Sequence, residues 1–125
     1  MTLPKPSELV HTHTITLGEG LDVSFQLSPI PGAVYQQIID AHRDEDGKTP
    51  WETVAEPLLE ASIQRVYSSV ESTPQPFTIN DATEIWETWP DWARWDILQA
   101  VIAYSTKGPA ANPFSGSTRN ENAEQ

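Results

Sequence analysis

Between His11 and Leu27 the chain alternates on both sides of a short glycine loop, and this feature restricts the fold more than any other. In His11-Thr12-His13-Thr14-Ile15-Thr16-Leu17 the odd positions share one face, and after Gly18-Glu19-Gly20 the apolar odd positions return as Leu21, Val23, Phe25 and Leu27. Two β-rich runs around such a loop predict a β-hairpin. Successive strand side chains point to opposite sides, so Val23, Phe25 and Leu27 join Ile15 and Leu17 on one buried face. An isolated hairpin is barely stable in water and needs a second apolar layer.

Helical patterns supply that layer. Pro29-Ile30-Pro31-Gly32 stops the strand, and Pro31 suits the first turn of the following helix. Val34, Ile38 and Ala41 recur at helical spacing, with Tyr35 and Ile39 beside them, until the charged stretch from Arg43 to Lys48. Thr49-Pro50-Trp51-Glu52 predicts a new start with Thr49 as N-cap. Its stripe reads Val54, Leu58, Leu59, Ile63, Val66 and Tyr67, with Pro57 inside as a kink or a delayed start. Residues 68–77, with Pro74 and Pro76, read as a loop. Thr78 and Asp81 match a capping box, and the helix they open must stop before Pro90. A fourth helix follows, with Trp92, Trp95, Leu98, Val101 and Ile102 as its stripe.

The fold class is therefore α+β, an N-terminal β-hairpin followed by about four helices with helix in the majority. Residues 1–10 read as a flexible lead, 11–106 as one domain, and 107–125 as a disordered tail in which Phe114 is the sole large apolar group. The expected core comprises Ile15, Val23, Phe25, Ile38, Leu59, Ile63, Leu98 and Val101.

Composition then removes whole classes of function. Seven Lys and Arg stand against 18 Asp and Glu, a net charge of −11 that repels phosphate backbones, so no nucleic-acid partner is expected. No apolar run approaches the roughly 20 residues that span a bilayer, and the first ten residues lack a signal-peptide core, so no membrane partner is expected either. There is no cysteine, which excludes disulfides, thiolate metal sites and a cysteine nucleophile.

His11 and His13 share a strand face at a spacing able to bind zinc, yet no third ligand lies in the local pattern, and we assign no metal. Acidic pairs such as Asp44/Asp46 and Glu84/Glu87 come without a neighbouring nucleophile, and no glycine-rich phosphate loop exists. Neither catalytic residues nor a cofactor are expected.

The tryptophans stand apart. Four of the five, Trp86, Trp89, Trp92 and Trp95, follow one another at every third position, and Pro90 splits the series. The pairs Trp86/Trp89 and Trp92/Trp95 are expected to meet across that corner. Rings of this size serve equally as core in a small domain or as exposed anchors at a binding surface. As a partner-binding surface we single out Trp86, Trp89, Trp92 and Trp95 with Leu58 and Tyr67 of the preceding stripe, forming a groove. Trp89 and Trp92, beside the break, are the expected exposed anchors.

The order of these elements resembles the tail assembly chaperones of long-tailed bacteriophages, in the short form found in phages of actinobacteria. The resemblance runs over 20–106. It is carried by Leu21-Asp22-Val23-Ser24-Phe25-Gln26-Leu27, by Ile30-Pro31-Gly32-Ala33-Val34-Tyr35 leading to Ile39-Asp40-Ala41-His42, by Pro57-Leu58-Leu59-Glu60-Ala61-Ser62, and by Thr78-Ile79-Asn80-Asp81-Ala82-Thr83-Glu84-Ile85-Trp86. The resemblance implies a protein of the bacterial host cytoplasm that binds the tape-measure protein, keeps it soluble, helps recruit tail-tube subunits and is absent from the mature virion. Self-association is compatible with it. Two other classes fit the residues: an acidic DNA mimic that inhibits a nucleic-acid-binding protein, and a structural head-to-tail or tail component.

Overall fold

The computed structural model describes residues 2–108. The hairpin consists of β1 (His11–Gly18) and β2 (Leu21–Leu27), antiparallel from His11 opposite Leu27 to Thr16 opposite Asp22. The pairing shifts between Thr16 and Gly18, and Gly20 turns the chain with φ +69°, a conformation that glycine adopts without a Cβ penalty. Ile15, Phe25 and Leu27 are buried on the inner face, with Val23 and Leu17 half-buried beside them. The outer face is polar: Thr14 Oγ1 and Ser24 Oγ lie 2.8 Å apart, and Thr16 Oγ1 donates to Asp22 Oδ1 at 2.7 Å.

After α1 (Gly32–Ala41) comes α2 (Trp51–Ser62). Thr49 is not its cap: the Thr49 hydroxyl donates to the Ile39 carbonyl at 3.1 Å, and Pro50 takes the N-cap position. Pro57 lies within α2, which continues through it to Ser62. The helical stripe expected to reach Tyr67 ends there. Ile63–Ser68 forms a strand, β3, antiparallel to β2, with Phe25 opposite Val66 and Val23 opposite Ser68. The physical reason is the unpaired edge of β2, whose backbone groups need partners. Ile63, Val66 and Tyr67 are β-branched or aromatic residues that suit a pleated surface. The switch from helix to strand is clipped by two serines: Ser28 N–H donates to the Ser62 carbonyl at 2.9 Å, and the buried Ser62 hydroxyl donates back to the Ser28 carbonyl at 2.7 Å. The Gln64 amide donates to Ser28 Oγ as well.

The segment read as a loop contributes β4 (Gln75–Pro76), which pairs with β3 and completes a sheet of order β1-β2-β3-β4. A proline is tolerated on such an edge. Phe77 then meets Phe25 edge-on, centroids 6.2 Å apart. Helix α3 (Ile79–Thr88) opens as expected: Asp81 N–H donates to Thr78 Oγ1 at 3.3 Å and Thr78 N–H donates to Asp81 Oδ2 at 2.9 Å. Trp89 and Pro90 separate it from α4 (Asp91–Lys107).

Helix α4 holds the structure together, packing on α2 and on β1. Its buried residues include Ala93, Ile97, Ala100 and Tyr104 besides the expected Leu98 and Val101, whereas Trp95 and Ile102 are half-buried and Trp92 is exposed. Two neighbours on different sides leave it apolar around most of its girth. His13 Nε2 lies 2.9 Å from Asp96 Oδ1, tying β1 to α4. Tyr104 Oη donates to the Leu9 carbonyl at 2.9 Å, and Ile30 N–H donates to Ser105 Oγ at 3.0 Å. A 3-10 turn at Pro6–Glu8 precedes β1. Lys107 closes α4, and residues 109–125 of the expected tail, with Phe114, lie outside the described residues. None of the described helices is long and apolar enough to cross a membrane.

Of the expected core, Ile15, Phe25, Leu59, Ile63, Leu98 and Val101 are buried, while Val23 and Ile38 are only half-buried. Val23 lies on the stretch of sheet left open beside α3, and Ile38 belongs to α1, which sits at the periphery.

Candidate partner-binding surface

The Pro90 corner sends its four rings in different directions. Trp86, 6 % exposed, is core, and its ring meets Trp95 edge-on at 5.3 Å with the planes at 71°. Arg94 caps it: the guanidinium carbon sits 4.7 Å above the Trp86 ring, while Nη1 donates to the Trp86 carbonyl at 2.7 Å and Nε and Nη2 donate to Asp91 Oδ1. One arginine thus ties the last turn of α3 to the first turn of α4. Trp89 points the other way and meets Phe25 at 5.9 Å under the sheet. Trp92 reaches solvent at 56 % exposure. The two pairs expected to meet across the corner do so through Trp86 and Trp95 alone: Trp89 packs on Phe25 of the sheet instead, and Trp92 faces solvent.

Residue Trp51 completes the set. It stands at the first position of α2, 39 % exposed, and its ring meets Trp95 at 6.4 Å and 80°. Trp92 and Trp95, three residues apart on α4, are neighbours on the helix surface. Trp51, Trp95 and the buried Trp86 therefore form a row of edge-on rings between the starts of α4 and α2, and Trp92, one helical turn before Trp95, extends this aromatic band into solvent. The sequence pattern passed over Trp51 because it precedes the apolar stripe of its own helix; its only signal was being the fifth tryptophan.

Leu58 does not belong to any surface. It is fully buried where α2 packs on α3 and α4, so the groove expected between α2 and the tryptophan helices is filled with core. Tyr67 is half-buried opposite Ser24, on the sheet face turned away from Phe25 and the helices. The six candidate residues thus divide among core (Trp86, Leu58), an aromatic band (Trp92, Trp95), the underside of the sheet (Trp89) and its outer side (Tyr67).

Among the described residues no group of three or more His, Asp or Glu side chains is placed to hold a metal ion. The exposed rings offer flat apolar area, which suits reversible docking of another apolar surface. Comparison of the chain with protein-family profiles, curated proteins and solved structures finds no match.

Proposed function

We propose that the protein is a phage tail assembly chaperone, a non-catalytic binder that covers apolar segments of the tape-measure protein and releases them as tail-tube subunits arrive. The observation that carries this reading is Trp92, more than half exposed one helical turn from Trp95, which itself meets Trp51. An exposed indole next to further tryptophans is the kind of aromatic anchor on which binding hot spots are built. The net charge of −11 supports the same reading, since a complex of apolar segments stays dispersed when its carrier is strongly charged. The order of sequence motifs resembling the chaperone family supports this partner and, with it, a role in the host cytoplasm during assembly and outside the finished particle.

The test is co-expression with the phage tape-measure protein that the reading assigns as partner, followed by pull-down with wild type and Trp92→Ala. The variant should fold normally and lose about 2 kcal/mol of binding or more, roughly thirtyfold in Kd. Failure of the wild-type protein to retain or solubilise the tape-measure protein overturns the reading.

A further inference from the structure

A second surface, on the other side of the corner, carries its own chemistry. Between α3 and the inner face of the sheet lies an open socket of about 120 Å³, floored by Val23, Phe25, Val66 and Trp89 and flanked by Asp81 and Glu84. A cavity of about 150 Å³ accepts a benzene ring, so this smaller, open socket suits one branched aliphatic side chain. Val66 and Asp81 also line a second open depression of about 320 Å³ at the β3–β4 end, together with Tyr67, Glu71 and Gln75. The two depressions adjoin at Val66 and Asp81, with Trp89 lining the first and Tyr67, on the other face of the sheet, lining the second.

The charge of the groove has one sign. Asp81, Glu84 and Glu71 line it, and neither Lys nor Arg does. Among the described residues Glu84 and Glu71 have no ion-pair partner, whereas Arg43 and Arg94 are held by Asp40 and Asp91. A second copy of this chain, at −11, is an unfavourable occupant. An apolar floor beside unpaired carboxylates selects a segment that combines both complements.

We infer that the groove between α3 and the β2–β3 sheet binds a partner segment with one apolar anchor side chain, seated on Val66 and Trp89, and flanking Lys or Arg residues facing Glu84 and Glu71. This goes beyond the tape-measure reading and does not depend on it, because it specifies the chemistry of a segment at a site separate from Trp92. The negative groove steers the basic segment in, and the socket sets its register.

The probe is a synthetic ten-residue peptide with a central Leu-Leu pair flanked by lysines, titrated into the isotopically labelled full chain and followed by NMR. Amide shifts should concentrate at Val23, Val66, Asp81, Glu84 and Trp89. Replacing the leucines by serine, or the lysines by glutamate, should weaken binding by about tenfold or more. The exposed-site changes Glu84→Lys and Glu71→Lys should each weaken it several-fold, while Glu45→Lys in the loop after α1, the same change in net charge, should leave it within about twofold. Equal binding of the serine peptide, equal weakening by Glu45→Lys, or shifts centred on Trp92 and Trp51 would overturn the inference. A chain that fails with the peptide yet retains the tape-measure protein refutes the groove and leaves the chaperone reading standing; the converse result does the opposite.

Discussion

Helices α1 and α4 both begin just after a proline and both look apolar in sequence, yet they occupy opposite extremes of the structure. No residue of α1 is fully buried, and Tyr35, Ile38 and Ile39 only lean on the core. Seven residues of α4 are buried, three of them alanine. The clean stripe of α1 reflects a helix with one covered side and one wet side. The blurred pattern of α4 reflects a helix covered by α2 on one side and β1 on another, where alanine lets the backbones approach. Between these two helices the tidy amphipathic period belongs to the peripheral one and its loss to the central one.

The sharpest way to break this comparison is Ile97→Ala, at a fully buried position of α4 that the stripe passed over. Removing those methyl groups between two packed elements should cost about 2 to 5 kcal/mol, read from the denaturant midpoint. A loss below 1 kcal/mol, on the order of a surface change, would mean that α4 is not central.

Ile38→Ala should cost only about 1 kcal/mol, because the α1 side chain is half-buried and little cavity remains. Hydrogen exchange sharpens the same contrast: amides of α1 should open well before those of α4. Equal protection would place both helices in one cooperative unit.

The smallest effect concerns the end of α1. Hydrogen bonds from Arg43 and, next, Gln36 hold the Asp40 carboxyl below its ordinary value of 3.8. A carboxyl depressed in the folded state adds stability above its unfolded value, and that contribution disappears as pH falls through the folded value. Arg43→Met should therefore raise the Asp40 titration midpoint seen by NMR and reduce stability slightly at neutral pH. The difference in stability from wild type should vanish in acid, once Asp40 is protonated in both proteins. An unmoved midpoint would show that Arg43 does not hold the carboxyl in solution.

Features governed by near neighbours in the chain were readable without a structure. The hairpin needs only alternation and a glycine that tolerates φ +69°, and the start of α3 needs only Thr78 and Asp81 three residues apart. Pro90 ends α3 through its own ring geometry, whatever surrounds it. Ile63, Val66 and Tyr67 were different, because their spacing is helical while their β-branched and aromatic side chains suit a strand. Only the free edge of β2, distant in sequence, selects the strand, and Ser28 and Ser62 hold it there.

The tryptophans divide along the same line. Their number, their spacing and the break at Pro90 are properties of the sequence, and these require a corner crowded with indoles. Which ring becomes core depends on what the corner meets. Trp86 is sealed by Arg94 and Trp95, Trp89 is drawn to Phe25, and Trp92, turned from both, remains in water. Four identical side chains at one spacing carry no local information that distinguishes them. Burial is set by atoms contributed from β2, α2 and α4 together, so the candidate binding surface was decided only when those elements packed.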